Sequence, residues 1–247
     1  MSSARPFRSD CALCLREAEL QHSHIFPEFF YDETYGDEGK FVAIRRNPLI
    51  KPKQHQKGLR EYLLCGACEV LISRTESYAA SLLRRLDHAP VMNGQSTLSD
   101  VDLRTFKLFG VSLLWRAGVA THGIFRATRL GPFAEHARKM LLDGRGGTPG
   151  ELGFLIARVV GSQAGKSIIS GPMRVKLHGR HCYHFLARGY RWFFIASRDA
   201  GQWASALPLV GSSQELRVRV FEETDESIIN WIRSTLPWSR PSWGANK

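Results

Sequence analysis

Three short stretches near the N-terminus decide the fold of this part of the chain: Cys11-Ala-Leu-Cys14, Gln21-His-Ser-His-Ile-Phe-Pro27 and Leu64-Cys-Gly-Ala-Cys-Glu69. A Cys-x-x-Cys turn lets two thiolates bind the same metal ion, and two such turns complete the tetrahedral four-sulfur geometry of a closed zinc site. The spacing therefore predicts one structural Zn²⁺, held by Cys11, Cys14, Cys65 and Cys68. The alternative is two disulfides or four buried thiols without a metal.

The composition indicates a folded, strongly basic protein. The chain has 247 residues, 43% of them hydrophobic, which is enough for one large domain or two modest ones. Its net charge of +11 favours a polyanionic partner, with nucleic acid ahead of an anionic membrane, although a solvated basic surface carries the same charge. Nucleic acid, and DNA rather than RNA, is therefore the expected partner.

Cysteine usage and hydropathy predict a cytoplasmic protein that does not enter the membrane. Five cysteines are an odd and sparse count, which favours a reducing compartment. Residues 1–10 are polar and lack the apolar centre of a secretory signal. The most apolar stretch, residues 103–120, contains Arg104, Lys107 and Arg116, so it predicts a buried helix.

Hydrophobic periodicity predicts an α+β fold. Helical spacing predicts helices over residues 69–86, from an N-cap at Ser99 to about Thr121, from Pro132 to the glycines at 144–147, and over 225–236. Alternation predicts a short strand from Leu20 to a turn at Pro27, and strands over 41–44, 152–160, 182–187, 191–196 and 215–221. Residues 87–98 are expected to form a linker because they contain proline, asparagine and glycine.

These elements suggest four segments. We expect a flexible arm (1–10), a zinc module (11–88), an α+β C-terminal domain (99–236) and a loose tail (237–247). The C-terminal domain would supply substrate selection, regulation, or a surface for a protein partner or for a second copy of the chain.

The segment 45–60 is the most biased in charge, since it contains six basic residues and no acidic one. Lysine and arginine side chains that contact phosphates release counterions, so such a segment suits a nucleic-acid backbone. A solvated loop is the alternative. The predicted nucleic-acid contacts are Arg45, Arg46, Lys51, Lys53, Lys57 and Arg60.

The order Cys-x-x-Cys, His-Ile-x-Pro, Leu-Cys-x-x-Cys over residues 11–80 resembles the HNH nuclease module of the four-cysteine type. The resemblance implies a treble-clef-like ββα unit in which the cysteines hold a structural zinc beside a separate catalytic metal. It also implies that the histidine of His-Ile-x-Pro, here His24, is the general base for phosphodiester hydrolysis. Leu113-Leu-Trp-Arg116 and Leu130-Gly-Pro132 further resemble a group of uncharacterised bacterial proteins.

The chain departs from the HNH pattern at three positions. Ser23 replaces the metal-binding Asp or His before the base, and Glu69 replaces the His or Asn after the last cysteine. The family asparagine before the second knuckle is absent, and Arg60 or Glu61 lies there. A catalytic Mg²⁺ or Mn²⁺ would therefore need other ligands.

We predict that the ligands of such an ion are Glu69, His22 and possibly Glu76, which lies seven residues after Glu69 on the same helix face. An ordinary solvated glutamate is the alternative for Glu76. A structural histidine, or one that ligates the zinc, is the alternative for His24.

The sequence thus supports three functions. The first is a metal-dependent HNH-type DNA endonuclease with His24 as the base. The second is a non-catalytic, zinc-stabilised nucleic-acid-binding protein, which the replacement at Ser23 favours. The third is a protein-interaction module, against which the basic segment argues.

Overall fold

A computed structural model describes residues 7–32, 34–35, 41–43, 53–55, 58–177, 180–196 and 207–235. Over these residues the protein is α+β, as predicted. The helices are α1 (Gly66–Asp87), α2 (Leu103–Val119), α3 (Pro132–Leu142), α4 (Gln163–Ser167) and α5 (Asp225–Thr235). The strands are β1 (Arg8–Asp10), β2 (Glu17–His24), β3 (Phe41–Ala43), β4 (Lys53–His55), β5 (Arg60–Cys65), β6 (Gln95–Leu98), β7 (Gly153–Val160), β8 (Met173–Leu177), β9 (Arg180–Ala187), β10 (Tyr190–Ile195) and β11 (Leu216–Glu222).

The N-terminal part is a β-β-α unit. Strand β2 pairs antiparallel with β5, β1 pairs with the outer edge of β2, and α1 follows β5 directly. The helix predicted over 69–86 is confirmed as α1. Its buried face repeats at helical spacing and closes one side of the unit, with Ile72, Ala79, Leu82, Leu83 and Leu86.

The C-terminal part is built on a six-stranded sheet in the order β6-β11-β7-β10-β9-β8. All neighbours are antiparallel except β11 and β7, which are parallel. The strands predicted at 152–160, 182–187, 191–196 and 215–221 are confirmed as β7, β9, β10 and β11. The linker predicted over 87–98 is wrong at its end, because Gln95–Leu98 form β6 and pair with β11.

Helix α2 is buried along almost its whole length, as its apolar sequence predicts. The predicted N-cap at Ser99 is wrong. Asp102 caps the helix instead, and its carboxylate accepts a hydrogen bond of 2.9 Å from the Thr105 amide. Within the described part of the chain, no helix combines the length and the apolar character needed to cross a bilayer.

Buried side chains from both halves of the sequence form one continuous core. Phe26, after β2, stacks on Phe185 of β9 with ring centroids 4.9 Å apart, and Phe30 meets Trp192 of β10 at 5.4 Å. The C-terminal sheet therefore supports the segment that follows His24. The division at residues 89–98 into separately folding domains stays a prediction.

Candidate metal centre and histidine face

The four cysteines of the two Cys-x-x-Cys turns lie together. Their sulfur atoms are all within 4.8 Å of one another, and the sulfurs of Cys14 and Cys65 are 3.9 Å apart. A tetrahedral site with Zn–S bonds of about 2.3 Å needs sulfur–sulfur separations of about 3.8 Å. None of the five cysteines, all of which the structure describes, forms a disulfide. The cluster can therefore hold one metal ion such as zinc.

Local backbone geometry aims these sulfurs at one point. The first turn closes when the Leu15 amide donates to the Cys11 carbonyl at 2.8 Å, with Leu15 in the left-handed region (φ 60°). The Cys65 amide donates to the Cys11 sulfur at 3.3 Å, which joins the two turns. Because α1 begins immediately after Cys65, Cys68 lies in its first turn, where the helix dipole favours a thiolate.

The thiols differ in acidity. Burial opposes ionisation of Cys14, but hydrogen bonds from the backbone and side chain of Arg16 outweigh it and lower the pKa of Cys14 to about 6. Burial raises the pKa of Cys11 and of Cys68. A bound divalent ion would replace the protons of these buried thiols, so metal binding and folding would be coupled.

A β-bulge explains why serine precedes the candidate base. The pairing of β2 with β5 shifts between Gln21 and His22, so that Leu63 has no partner across the ladder. The hydroxyl of Ser23 donates to the Gln21 carbonyl at 3.3 Å and accepts from the Leu64 amide at 3.2 Å. Ser23 is 2% exposed, so it braces the bulge from the buried side of the sheet.

After the bulge, one face of the β2–β5 pair carries His22, His24, Arg60 and Tyr62. His22 is opposite Tyr62, and His24 is opposite Arg60. Residues two apart on a strand point to the same side, so these four side chains form one surface. We call them the histidine face.

His24 has two charged neighbours that compete for the same ring nitrogen. Nε2 accepts a hydrogen bond of 2.8 Å from Arg60 Nε, and a carboxylate oxygen of Glu28 also lies against it. Burial and the charge of Arg60 lower the pKa of His24, against the opposite influence of Glu28. The ring is therefore neutral at neutral pH, as a general base must be.

Glu28 is the site residue that the sequence analysis missed. Its carboxylate accepts a hydrogen bond from the Tyr35 hydroxyl and lies 3.6 Å from the Arg60 guanidinium. Tyr35 in turn accepts a hydrogen bond of 3.2 Å from the Gly58 amide. The spacing of four residues from His24 was the available signal, but the turn predicted at Pro27 does not by itself show that the two side chains meet.

Glu76 pairs with an arginine in the structure. Its carboxylate lies 2.7 Å from Nη2 of Arg116, whose Nη1 donates to the His24 carbonyl at 2.8 Å. Arg116 is 2% exposed, so this is a buried ion pair that fixes α2 to α1 and to the backbone of His24. Glu76 thus supports the backbone of His24 through Arg116.

The predicted ligands of a catalytic metal are not gathered. His22 is exposed, with its ring 5.1 Å from that of Tyr62. Glu69 lies in the first turn of α1, and its buried Oε1 has no hydrogen-bond partner among the described residues. Among these residues, only the four cysteines bring three or more ligand atoms together. His22, Glu69 and Glu76 do not form such a group, so a Mg²⁺ or Mn²⁺ site at these residues stays a prediction.

Phe7 extends the histidine face. The rings of Phe7 and Tyr62 stack with centroids 4.8 Å apart, and the residues are 50% and 53% exposed. Of the segment predicted to contact nucleic acid, Arg60 lies in the histidine face. Arg45, Arg46, Lys51 and Lys57 lie outside the described residues, and Lys53 is placed only as the first residue of β4.

Comparisons with protein-family models, with curated proteins and with solved structures gave no significant match. The resemblance to the HNH module therefore depends on the residues and on the order of the elements.

Proposed function

We propose that this protein is an HNH-type endonuclease that hydrolyses DNA phosphodiester bonds with His24 as the general base. The observation that carries the proposal is a neutral histidine beside an arginine, at the end of a strand in a β-β-α unit that a four-cysteine cluster closes. The resemblance assigns the same role to a histidine at this position.

Two members of the histidine face and the neighbouring Glu28 have chemical roles in this proposal. Arg60 turns its hydrogen bond from His24 Nε2 to the phosphate, which frees Nε2 to take a proton from a water molecule. The water oxygen then bonds to the phosphorus while the P–O bond to the leaving group breaks, and the leaving oxygen keeps the electron pair and takes a proton from the solvent. Arg60 offers a permanent positive charge and several donors beside the attack, which stabilises charge that develops on the phosphate oxygens. Glu28 orients the ring, and after the transfer its carboxylate accepts a hydrogen bond from the protonated ring nitrogen.

The four cysteines hold Zn²⁺ in this proposal, and zinc has a structural role only. The expected catalytic Mg²⁺ or Mn²⁺ at His22, Glu69 and Glu76 stays a prediction, supported only by the unpartnered Oε1 of Glu69. No step above depends on it.

DNA is the proposed partner because of the net charge of +11 and the exposed aromatic rings beside His24. Aromatic rings stack on bases of any sequence, and lysine and arginine side chains track the phosphates. A cytoplasmic location remains part of the proposal.

A non-catalytic, zinc-stabilised nucleic-acid-binding protein is the second candidate. Ser23 and Glu76 favour it, because the structure uses both side chains to support the fold. The two candidates share the zinc centre and the nucleic-acid surface, and they differ in whether His24 performs chemistry.

Cleavage and binding measured on the same samples separate the candidates. Plasmid and single-stranded DNA are incubated with wild type, His24→Ala and His181→Ala, with Mg²⁺ or Mn²⁺ present and zinc content matched. His181 is an exposed histidine on β9 and serves as the control. We expect wild type and His181→Ala to cleave and His24→Ala to bind without cleaving.

Two results would contradict this expectation in different ways. Binding without cleavage by the wild type would exclude the nuclease and leave the second candidate. Absence of binding at low salt would exclude both, because a surface that contacts several phosphates binds most tightly there.

A further inference from the structure

A pocket of about 510 Å³ opens at the N-terminal end of α2. Its walls are the first two turns of α2, the loop 145–149 and the pair Val210-Gly211. The charged residues of the lining are Arg104, Lys107 and Arg145, all of them basic. Pockets of roughly 300–1,000 Å³ hold small molecules, so the volume is sufficient for a ligand of ordinary size.

Lys107 is the feature of this pocket that packing does not explain. The residue is 3% exposed, and burial lowers the pKa of its ammonium group to about 8. That group has three donors, yet among the described residues it makes one hydrogen bond, of 3.2 Å, to the Pro149 carbonyl. A buried cation without a counter-charge is unfavourable, so an anion in the pocket would complete its environment.

The acidic residue near Lys107 is already engaged. Glu151 affects Lys107 only through its charge, without an ion pair. The Glu151 carboxylate accepts a hydrogen bond of 2.6 Å from the Thr148 amide and lies 3.4 Å from Nε2 of His136. The lining therefore keeps its excess of positive charge.

The loop beside Lys107 adds free backbone donors. No described residue accepts a hydrogen bond from the amide of Gly146 or of Gly147. Gly147 has φ +66°, and a Cβ there would lie 2.8 Å from Glu151 Oε2, so the position requires glycine. Successive free amides in such a loop form a concave site for anions.

The arginines on either side are held in place. Arg104 donates to the Gly144 carbonyl from Nε at 3.0 Å and from Nη2 at 2.5 Å, so among the described residues only its Nη1 stays without a partner. Arg145 lies 3.6 Å from Asp143 at the rim. Guanidinium and ammonium groups together with free amides are typical phosphate ligands. The remaining lining of Leu103, Pro149 and Val210 is apolar and suits a ring.

We propose that this pocket binds a phosphate-bearing small molecule of about the size of a mononucleotide, with its phosphate on Lys107, Arg145 and the Gly146-Gly147 amides. The site is separate from the histidine face. Arg116, which donates to the His24 carbonyl, lies nine residues after Lys107, or about 13.5 Å along α2. It does not depend on nuclease activity.

Calorimetric titration with inorganic phosphate and with adenosine 5′-monophosphate, at constant ionic strength, tests the site. The variants are Lys107→Met, which keeps the apolar stem, and Arg145→Gln, whose side chain is largely exposed. Lys139→Met is the control, because it removes the same charge from an exposed position on α3. The control separates this site from general attraction of anions to a basic protein.

We expect wild type and Lys139→Met to bind one equivalent of each probe, with the nucleotide bound more tightly. Lys107→Met and Arg145→Gln should each weaken binding about tenfold or more. Equal binding by Lys107→Met and Lys139→Met would overturn the assignment, as would the absence of binding by wild type at millimolar concentrations. Phosphate binding without nucleotide binding would overturn the role of the apolar wall.

Discussion

His24 is the residue on which the proposed chemistry depends, and its protonation is set by burial and by its two charged neighbours. Arg60 favours the neutral ring and Glu28 favours the charged one. Burial is the largest influence and acts in the same direction as Arg60, so the pKa of His24 lies below its ordinary value of 6.5. A base that is neutral throughout the neutral range loses activity only on the acid side.

Replacing Arg60 by Gln should therefore raise the pKa of His24, because the repulsion between guanidinium and imidazolium is removed. The measurement is an NMR titration of the His24 ring in wild type and variant, which does not require activity. Wild type should titrate below 6.5 and Arg60→Gln above the wild-type value. An unchanged or lower value in the variant would show that Arg60 does not control this ring.

Tyr62 tests whether the exposed rings bind bases. Base–aromatic stacking contributes about 1–3 kcal/mol per base, so Tyr62→Leu should weaken binding of single-stranded DNA by roughly five- to a hundredfold. Tyr62→Phe keeps the ring and should bind like wild type. Fluorescence anisotropy with a labelled oligonucleotide at fixed salt gives both affinities. Equal affinities of Tyr62→Leu and wild type for the oligonucleotide would show that Tyr62 does not stack on bases.

For individual residues, the sequence predicted the contacts that follow from the spacing of residues along the chain. The four cysteines could be assigned to one metal site because each Cys-x-x-Cys turn places two thiolates side by side. The roles of Ser23, Glu28 and Glu76 could not be predicted. Their partners depend on a β-bulge, on a turn after Pro27 and on a helix from the other half of the chain.

At the scale of elements, α2 is the helix that connects the two halves. Arg116 near its C-terminal end contacts both Glu76 on α1 and the carbonyl of His24. Glu61 on β5 accepts hydrogen bonds from Thr121 and His122 just beyond the helix. The C-terminal end of α2 and the residues just after it thus contact both strands that carry the histidine face.

Glu76→Gln should destabilise the protein by about 3–5 kcal/mol, because it leaves Arg116 as an uncompensated buried charge. Glu69→Gln is the control on the same helix, and its effect should stay within about 0.5 kcal/mol. Urea unfolding without Mg²⁺ or Mn²⁺ measures both. If Glu76 served mainly to bind a catalytic ion, the two variants would have similar stabilities under these conditions.

Among the elements, long periodic segments were predictable and short or distant ones were not. The apolar pattern of 103–120 fixed α2, and the alternation Leu216-Arg-Val-Arg-Val220 fixed β11. Strand β6 has only four residues and forms because β11 offers it an edge, which no local pattern shows. Ser99 was plausible as a cap, but the actual cap is Asp102, three residues later, and the helix begins at Leu103.

At the scale of the whole molecule, the cysteine centre is joined to the common core. Arg138 on α3 donates to the carbonyl of Leu13, between the first two cysteines, at 2.8 Å. Phe26 and Phe30 continue from β2 into the C-terminal sheet. The sequence predicted the α+β class, while this packing between distant segments could not be read from local periodicity.

Removing the metal should therefore loosen more than the two cysteine turns. Cys68→Ser, or chelation of zinc from wild type, should expose the amides of β2, β5 and α1 first, because structural metal binding supplies folding free energy. Hydrogen exchange followed by mass spectrometry locates the change, with Cys182→Ser as the control for loss of a buried thiol elsewhere. Unchanged protection of α1 after complete metal loss would contradict a structural role.

The proposed function depends on the four-cysteine cluster, because a zinc ion there would close the β-β-α unit that presents His24. X-ray absorption at the zinc edge, on wild-type protein purified under reducing conditions, tests it most directly. We predict one zinc ion per chain with four sulfur neighbours at about 2.3 Å. Nitrogen or oxygen atoms among the zinc ligands, or metal-free protein with these cysteines in disulfides, would contradict the account.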